Sequence, residues 1–64
     1  MTFDQYTRVM LLTDRFQHEG LVKGNIGYII EVYAEGVYEV EFSDANGITI
    51  AQIVVSEAEI QLAD

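Results

Sequence analysis

The segment from residue 37 to residue 42 constrains the fold more than any other part of the chain, because apolar and acidic side chains alternate without a break from Tyr38 to Phe42. The apolar positions are Tyr38, Val40 and Phe42, and the acidic positions between them are Glu39 and Glu41. Successive side chains of a β-strand point to opposite faces, so this pattern predicts a strand with one buried and one exposed face. Residues that favour turns flank it at Gly36 and at Asn46-Gly47, which predicts a tight hairpin on each side.

Short apolar runs separated by turn residues fill the rest of the chain, a pattern typical of an all-β protein. We predict further strands over residues 7–13, 26–33, 48–55 and from residue 60 onwards. The polar stretch over residues 14–20 is predicted to form a loop that Phe16 and Leu21 anchor to the core. Ser56 and Glu59 have the spacing of a capping box, which predicts a single 3₁₀ turn before the last strand.

Five short strands, one long first loop, two tight hairpins and a 3₁₀ turn before the last strand together describe an all-β, five-stranded SH3-like barrel. The 64 residues form one domain, residues 1–64, near the lower limit of size for a fold without covalent staples. The chain has no Cys to supply a disulfide, but half of its residues are hydrophobic, which is enough for one core.

The turn over residues 34–36 sets the expected register of the second and third strands. If these three residues form the loop, with Gly36 in the left-handed conformation, Tyr33 lies opposite Val37 and Glu31 lies opposite Glu39. The face predicted to be buried then consists of Tyr28, Ile30, Val32, Tyr38, Val40 and Phe42. The face predicted to be exposed consists of Ile29, Glu31, Tyr33, Val37, Glu39 and Glu41.

The exposed face is the candidate partner-binding site. Glu31 and Glu39 face each other on it, and like charges so placed destabilise a sheet. Its apolar members gain nothing from contact with water, and the fourth strand adds Ile50 and Val54 beside them in one of its possible registers. A mixed apolar and acidic surface of this kind predicts docking of a basic protein. The alternative is a second, smaller apolar cluster in a curled barrel whose carboxylates are only solvated.

Net charge narrows the class of partner. Eleven acidic and three basic residues give a charge of −8, which disfavours nucleic acids and anionic membranes. The same charge either steers a basic protein to the chain or only keeps a small domain soluble. Met1 is followed by neither a basic start nor an apolar run, and no stretch approaches the roughly 20 apolar residues of a membrane span, so we expect the cytoplasm of a bacterium-like cell.

The chain shows no residue pattern typical of an enzyme, a metal centre or a cofactor site. His18 is the only histidine and no Cys can join it as a metal ligand. Glu39 and Glu41 could act as an acid and a base in principle, but on alternate strand positions they are predicted to be solvated. We therefore predict no catalytic residue, no metal and no cofactor.

The segment over residues 22–30 resembles the glycine-spaced start of KOW and related barrel strands. Gly24 allows a tight turn there, and Gly27 allows a bulge or a close approach of another chain segment. KOW domains often contact RNA. The lone Lys23 and the net charge of −8 argue against that activity here.

Features in a fixed order along nearly the whole chain carry a resemblance to a family. They are residues 11–14, 20–27, 31–33, 38–42 and 44–47, followed by Ala51, Ile53 and Ile60, and the Tyr-Glu-Val-Glu-Phe segment is the most specific. In these features the chain resembles the short bacterial proteins of domain of unknown function 4926. The resemblance implies an SH3-like barrel, similar in shape to the small barrels of nitrile hydratase β subunits, without an established activity.

Small acidic members of that family are similar to the antitoxin half of toxin–antitoxin pairs, which implies a toxin-like partner. The first loop departs from the family pattern, because Phe16-Gln17-His18 stands where a proline-containing stretch is common. The leading hypothesis is therefore a non-enzymatic protein-binding module. The alternatives are a self-associating barrel that buries Ile29, Tyr33 and Val37 in a homodimer, and an RNA-contacting KOW-like module.

Overall fold

The computed structural model describes residues 3–64 as one antiparallel sheet of five strands. The strands are β1 (Arg8–Leu11), β2 (Ile26–Ala34), β3 (Val37–Ser43), β4 (Thr49–Ser56) and β5 (Ile60–Leu62). Their order across the sheet is β4-β3-β2-β1-β5, so β1 lies between β2 and the last strand. One 3₁₀ turn, η1 (Gln17–Glu19), lies in the first loop, and a second, η2 (Glu57–Glu59), precedes β5. The predicted all-β fold class, with five strands and a 3₁₀ turn before the last strand, is confirmed.

The alternation that predicted β3 is reproduced in its burial. The three apolar side chains are fully buried, and these are Tyr38, Val40 and Phe42. Both flanking turns form where they were predicted, and Gly36 and Gly47 have φ of +78° and +80°, a region that a residue with a Cβ rarely adopts. Asp44 fixes the second turn, because its Oδ1 accepts hydrogen bonds from the amides of Asn46 at 2.9 Å and Ile48 at 3.0 Å.

The core gathers buried side chains from all five strands and from the first loop. Its members are Val9, Leu11, Phe16, Leu21, Ile29, Tyr38, Val40, Phe42, Val55 and Ile60. Phe16 and Leu21 anchor the loop to the core, as predicted from the sequence. Within residues 3–64, no helix is long and apolar enough to cross a membrane.

An ion pair ties the first loop to η2. Arg15 donates from Nε to Glu59 Oε2 at 2.5 Å and from Nη2 to Glu59 Oε1 at 2.8 Å. Glu59 also closes the predicted capping box, because its Oε1 accepts the Ser56 amide at 2.9 Å. The hydrogen bonds from Arg15, opposed by desolvation and assisted by Ser56, lower the pKa of Glu59 to about 2.

The register of β2 on β3 differs from the predicted one because of a bulge at Ile30. Glu31 pairs with Glu39 as predicted, but beyond the bulge Ile29 pairs with Val40 and Tyr28 pairs with Glu41. One extra residue sends every following side chain to the other face. The predicted placements were therefore wrong for Ile29, which is fully buried, and for Tyr28, which is 47% exposed.

Gly27 supplies the physical reason for this register. In the observed pairing Gly27 lies opposite Phe42, and a Cβ built on Gly27 would lie 2.8 Å from Phe42 Cδ1 and 2.7 Å from the carbonyl oxygen of Glu41. Only glycine fits against the buried ring. The close chain approach predicted at Gly27 is confirmed. Gly27 and Ile29 therefore lie on the buried face of β2, and Tyr28 lies on the outer face.

A second irregularity lies beside the hairpin turn. Ala34, and not Tyr33, pairs with Val37, so the connection is Glu35-Gly36 and the predicted three-residue loop was wrong. Val32 pairs with Tyr38 as predicted, but only Tyr38 is buried, whereas Val32, between the two irregularities of β2, is 40% exposed. Ile30 is only partly buried, so the prediction that Val32 and Ile30 are core residues was wrong.

Candidate protein-binding face

The candidate site is a surface on the outer side of β2, β3 and β4, which we call the acidic face. Two cross-strand rows define it: Tyr28, Glu41 and Gln52 in one, and Glu31, Glu39 and Val54 in the other. Tyr33 joins the face beside the second row through its contact with Glu39. The face stands on the longest strands of the sheet, so its side chains project from paired backbone and not from loops.

Glu39 lies at the centre of the acidic face and is held from both sides by neutral donors. The Tyr33 hydroxyl donates to Oε1, and the side-chain amide of Gln52 donates to Oε2. The hydrogen bond from Tyr33 and then that from Gln52 lower the pKa of Glu39, against a smaller opposing effect of desolvation. The same contact raises the pKa of Tyr33. Glu39 therefore stays ionised at neutral pH in a fixed orientation.

The other two carboxylates of the face also lack a cation. Glu41 Oε2 accepts a hydrogen bond from the Thr49 hydroxyl at 2.8 Å, and Glu31 lies directly opposite Glu39. Among residues 3–64, the ion pair that forms joins Arg15 to Glu59, and the one histidine contact with a carboxylate joins His18 to Glu19; both lie on other parts of the chain. Within the described residues, none of the three carboxylates of the face therefore forms an ion pair.

The structure brings together most of the residues that the sequence placed in the site. Glu31, Tyr33, Glu39 and Glu41 share the face, and Val37 lies at its end, partly buried and paired with Ser56 of β4. Ile29 does not belong to it, because the bulge at Ile30 turns its side chain into the core.

From β4, Val54 joins the face with 50% of its surface exposed, whereas Ile50 packs against the core. Sequence analysis missed Tyr28 and Gln52. Gln52 lies two positions from Val54, so the period of a strand could have placed both on one face once the register of β4 was known. Tyr28 carried no comparable signal, because its position depends on the bulge.

A groove continues the outer surface beyond Tyr28, between the start of β2 and the turn after β3. It encloses about 400 Å³, and its lining includes Arg8, Asn25, Tyr28 and Asp44. Arg8 pairs with Tyr28 across β1 and β2, and in the described part of the chain it makes no ion pair. The groove thus brings a cation to the edge of the acidic face.

The strand order, the first loop tied to η2 and the burial pattern define a small all-β domain with the arrangement of elements that we expected of an SH3-like barrel. Within that class, the chain belongs to the family described as Domain of unknown function (DUF4926), which matches residues 5–62. The resemblance found in the sequence is confirmed. Searches of curated proteins and of solved structures gave no significant match.

Proposed function

We propose that this chain is a non-enzymatic protein-binding module whose acidic face docks on a basic surface of another protein. The observation that carries the proposal is the alignment of Glu31, Glu39 and Glu41 on one face, where none of them forms an ion pair among residues 3–64. Glu31 and Glu39 lie directly opposite each other; like charges so placed generally destabilise a sheet, and a lysine or arginine from a partner relieves such repulsion. A charge pair that is unfavourable in the free chain thus favours binding of a basic partner.

Two further properties of the face favour docking. Tyr33 is 57% exposed and Val54 is 50% exposed, and both flank the central carboxylate, so a partner buries apolar surface in the same place where it neutralises charge. Glu39 is already held by Tyr33 and Gln52, so less side-chain freedom is lost on association than for a mobile carboxylate.

In its sharpest form the proposal makes the chain an antitoxin-like inhibitor in the cytoplasm of a bacterial cell. The partner is then a toxin-like protein whose basic active site the acidic face covers. Support comes from the family likeness and from the sign of the charge. The test of this form is inhibition: one equivalent of the chain must suppress the activity of the partner, and binding without loss of that activity contradicts it.

The binding proposal is tested by reversing the charge of the face. The probe is a short peptide of alternating lysine and valine with neutral ends, and its binding is measured by calorimetry at low salt. We expect the unaltered chain to bind it and the triple variant E31K/E39K/E41K to bind it undetectably. A chain that does not bind the peptide, or a triple variant that binds it unchanged, refutes the proposal.

A matched control separates the face from net charge. The variant D4K/E19K/D64K carries its changes on exposed residues away from the face. Each replacement changes the charge by two, so both triple variants move the net charge from −8 to −2. We expect the control to retain most of the binding. Equal loss in both variants would show that only the overall charge matters and that the acidic face is not the site.

A further inference from the structure

The side of β4 that faces away from β3 carries the next inference. β4 (Thr49–Ser56) ends the sheet, and in the part of the chain that the structure describes no strand pairs with its other side. Natural proteins protect such edges with charged residues, proline, bulges or a short strand. β4 has eight residues, and none of them is charged or proline. Its register on β3 shifts once, at Ile50 near its start, and the pairing is regular from Ala51 to Ser56.

The hydrogen bonds at the end of β4 show which backbone groups face the open side. The Glu57 amide donates to the Gly36 carbonyl at 2.9 Å, so the adjacent pair of Val37 and Ser56 is a non-hydrogen-bonded pair. Pair types alternate along an antiparallel ladder. The amides and carbonyls of Ile53 and Val55 therefore bond to β3, whereas those of Gln52 and Val54 point to the open side.

Both ends of this open stretch are closed by other contacts. At one end, a Cβ on Gly20 of the first loop would lie 3.4 Å from Ile50 Cγ2, so the loop covers Ile50. At the other end, the Ser56 amide is bonded to Glu59 Oε1. The free backbone groups are thus centred on Gln52 and Val54, whose side chains belong to the acidic face.

We propose that this open side of β4 receives an extended, basic segment of the partner protein as a sixth strand. The inference rests on the proposed function and specifies how the partner binds. Strand addition to an exposed edge is a common mode of peptide recognition, in which backbone hydrogen bonds give affinity and alternate side chains give specificity.

Charge complementarity selects a basic segment over a second copy of β4. Neighbouring strands lie about 4.8 Å apart, so outward side chains of an added strand stand roughly 10 Å from those of Glu39 and Glu41. The flexible four-carbon stem of lysine spans most of that gap. A second copy of β4 brings no charge to this position, and it carries its own acidic face alongside.

The variant V54P tests the edge directly, because it removes a backbone amide that points to the open side and keeps the backbone hydrogen bonds between β4 and β3. Proline is tolerated on edge strands in that orientation. V54T is the matched control, since it keeps the amide and a β-branched side chain. We expect V54P to weaken binding of the lysine–valine peptide by roughly tenfold or more, as for the loss of a buried hydrogen bond, and V54T to remain within about twofold.

A second measurement uses the unaltered chain, in case V54P does not fold. The same peptide with every backbone amide N-methylated keeps its charge and loses its donors, and we expect it not to bind. By NMR hydrogen exchange, we expect the peptide with free amides to slow exchange at Gln52 and Val54.

Three outcomes overturn the inference. Equal binding of the N-methylated peptide, or equal binding by V54P, excludes strand addition, while the charge-reversed face still decides whether the proposed function stands. A dimer seen by light scattering without peptide, and lost in V54P, assigns the open side to a second copy of this chain.

Discussion

Replacement of Gly27 by alanine is the sharpest test of the register that defines the acidic face. The added Cβ would lie 2.7 Å from the backbone oxygen of Glu41 and 2.8 Å from both Phe42 Cδ1 and Val40 Cγ1. These distances are shorter than real Cβ contacts, and both side chains are fully buried, so strands or side chains have to shift. Extra methyl groups in a well-packed core cost about 1–3 kcal/mol.

Two effects determine the net magnitude. Alanine restricts the unfolded chain more than glycine does, which returns about 0.4–1 kcal/mol, so we expect G27A to lower the free energy of unfolding by about 1–2 kcal/mol. G47A is the matched control, because nothing lies within 4 Å of its Cβ and its cost comes only from a φ of +80°. The double variant G27A/F42L should recover part of the loss, since a smaller side chain opposite position 27 relieves the contact.

Urea unfolding followed by circular dichroism measures these differences, and the double-mutant cycle isolates the coupling between positions 27 and 42. We expect strong coupling for G27A with F42L and none for G47A with F42L. If G27A is as stable as the unaltered chain, or if the effects of G27A and F42L simply add, the close approach is not the cause of the bulge. Such a result would favour the register predicted from the sequence, in which Tyr28 is buried.

Three further outcomes are expected. Because the folded-state pKa of Glu59 is lowered to about 2, its pair with Arg15 stabilises the fold above the unfolded pKa, and this stabilisation is lost as the pH falls towards 2. Between about pH 5 and pH 2, E59Q should therefore lose less thermal stability than the unaltered chain. Equal acid sensitivity of the two proteins would contradict this. L21A empties a fully buried position and should cost about 2–5 kcal/mol in urea unfolding, against less than about 0.5 kcal/mol for the exposed V22A. E31Q removes a like-charge contact, so its unfolding midpoint should rise while its affinity for the lysine–valine peptide falls; a fall in both would show that Glu31 has a structural role.

The candidate site was partly accessible from sequence because its centre depends on short-range patterns. The alternation around Glu39 and Glu41 and the turn at Gly36 lie within a few residues of each other, and they fixed both carboxylates on the exposed face of β3. The predicted pairing of Glu31 with Glu39 is correct although the turn differs from the predicted one. The loop is one residue shorter than predicted and β2 contains one extra residue, Tyr33, so the two differences cancel at this pair.

The faces of positions farther from the turn could not be predicted from these short-range patterns. Ile29 was assigned to the wrong face because a single bulge at Ile30 places every earlier residue of β2 on the opposite face from the one predicted. Gly27 indicated an irregularity in this strand, but it does not show at which residue the bulge lies. Gln52 was missed because the register of β4 depends on pairing across the longer second turn.

The sequence alone determined which segments become strands and where they turn, because alternation and left-handed glycines act over a few residues. Tertiary structure decided which side chains share a surface. Only glycine at position 27 fits against Phe42, and Arg15 pairs with Glu59, which lies 44 positions away in the sequence, so both contacts form only in the folded chain. The acidic face and the open side of β4 follow from those long-range contacts, because packing in the core selects one register among several that the local pattern permits.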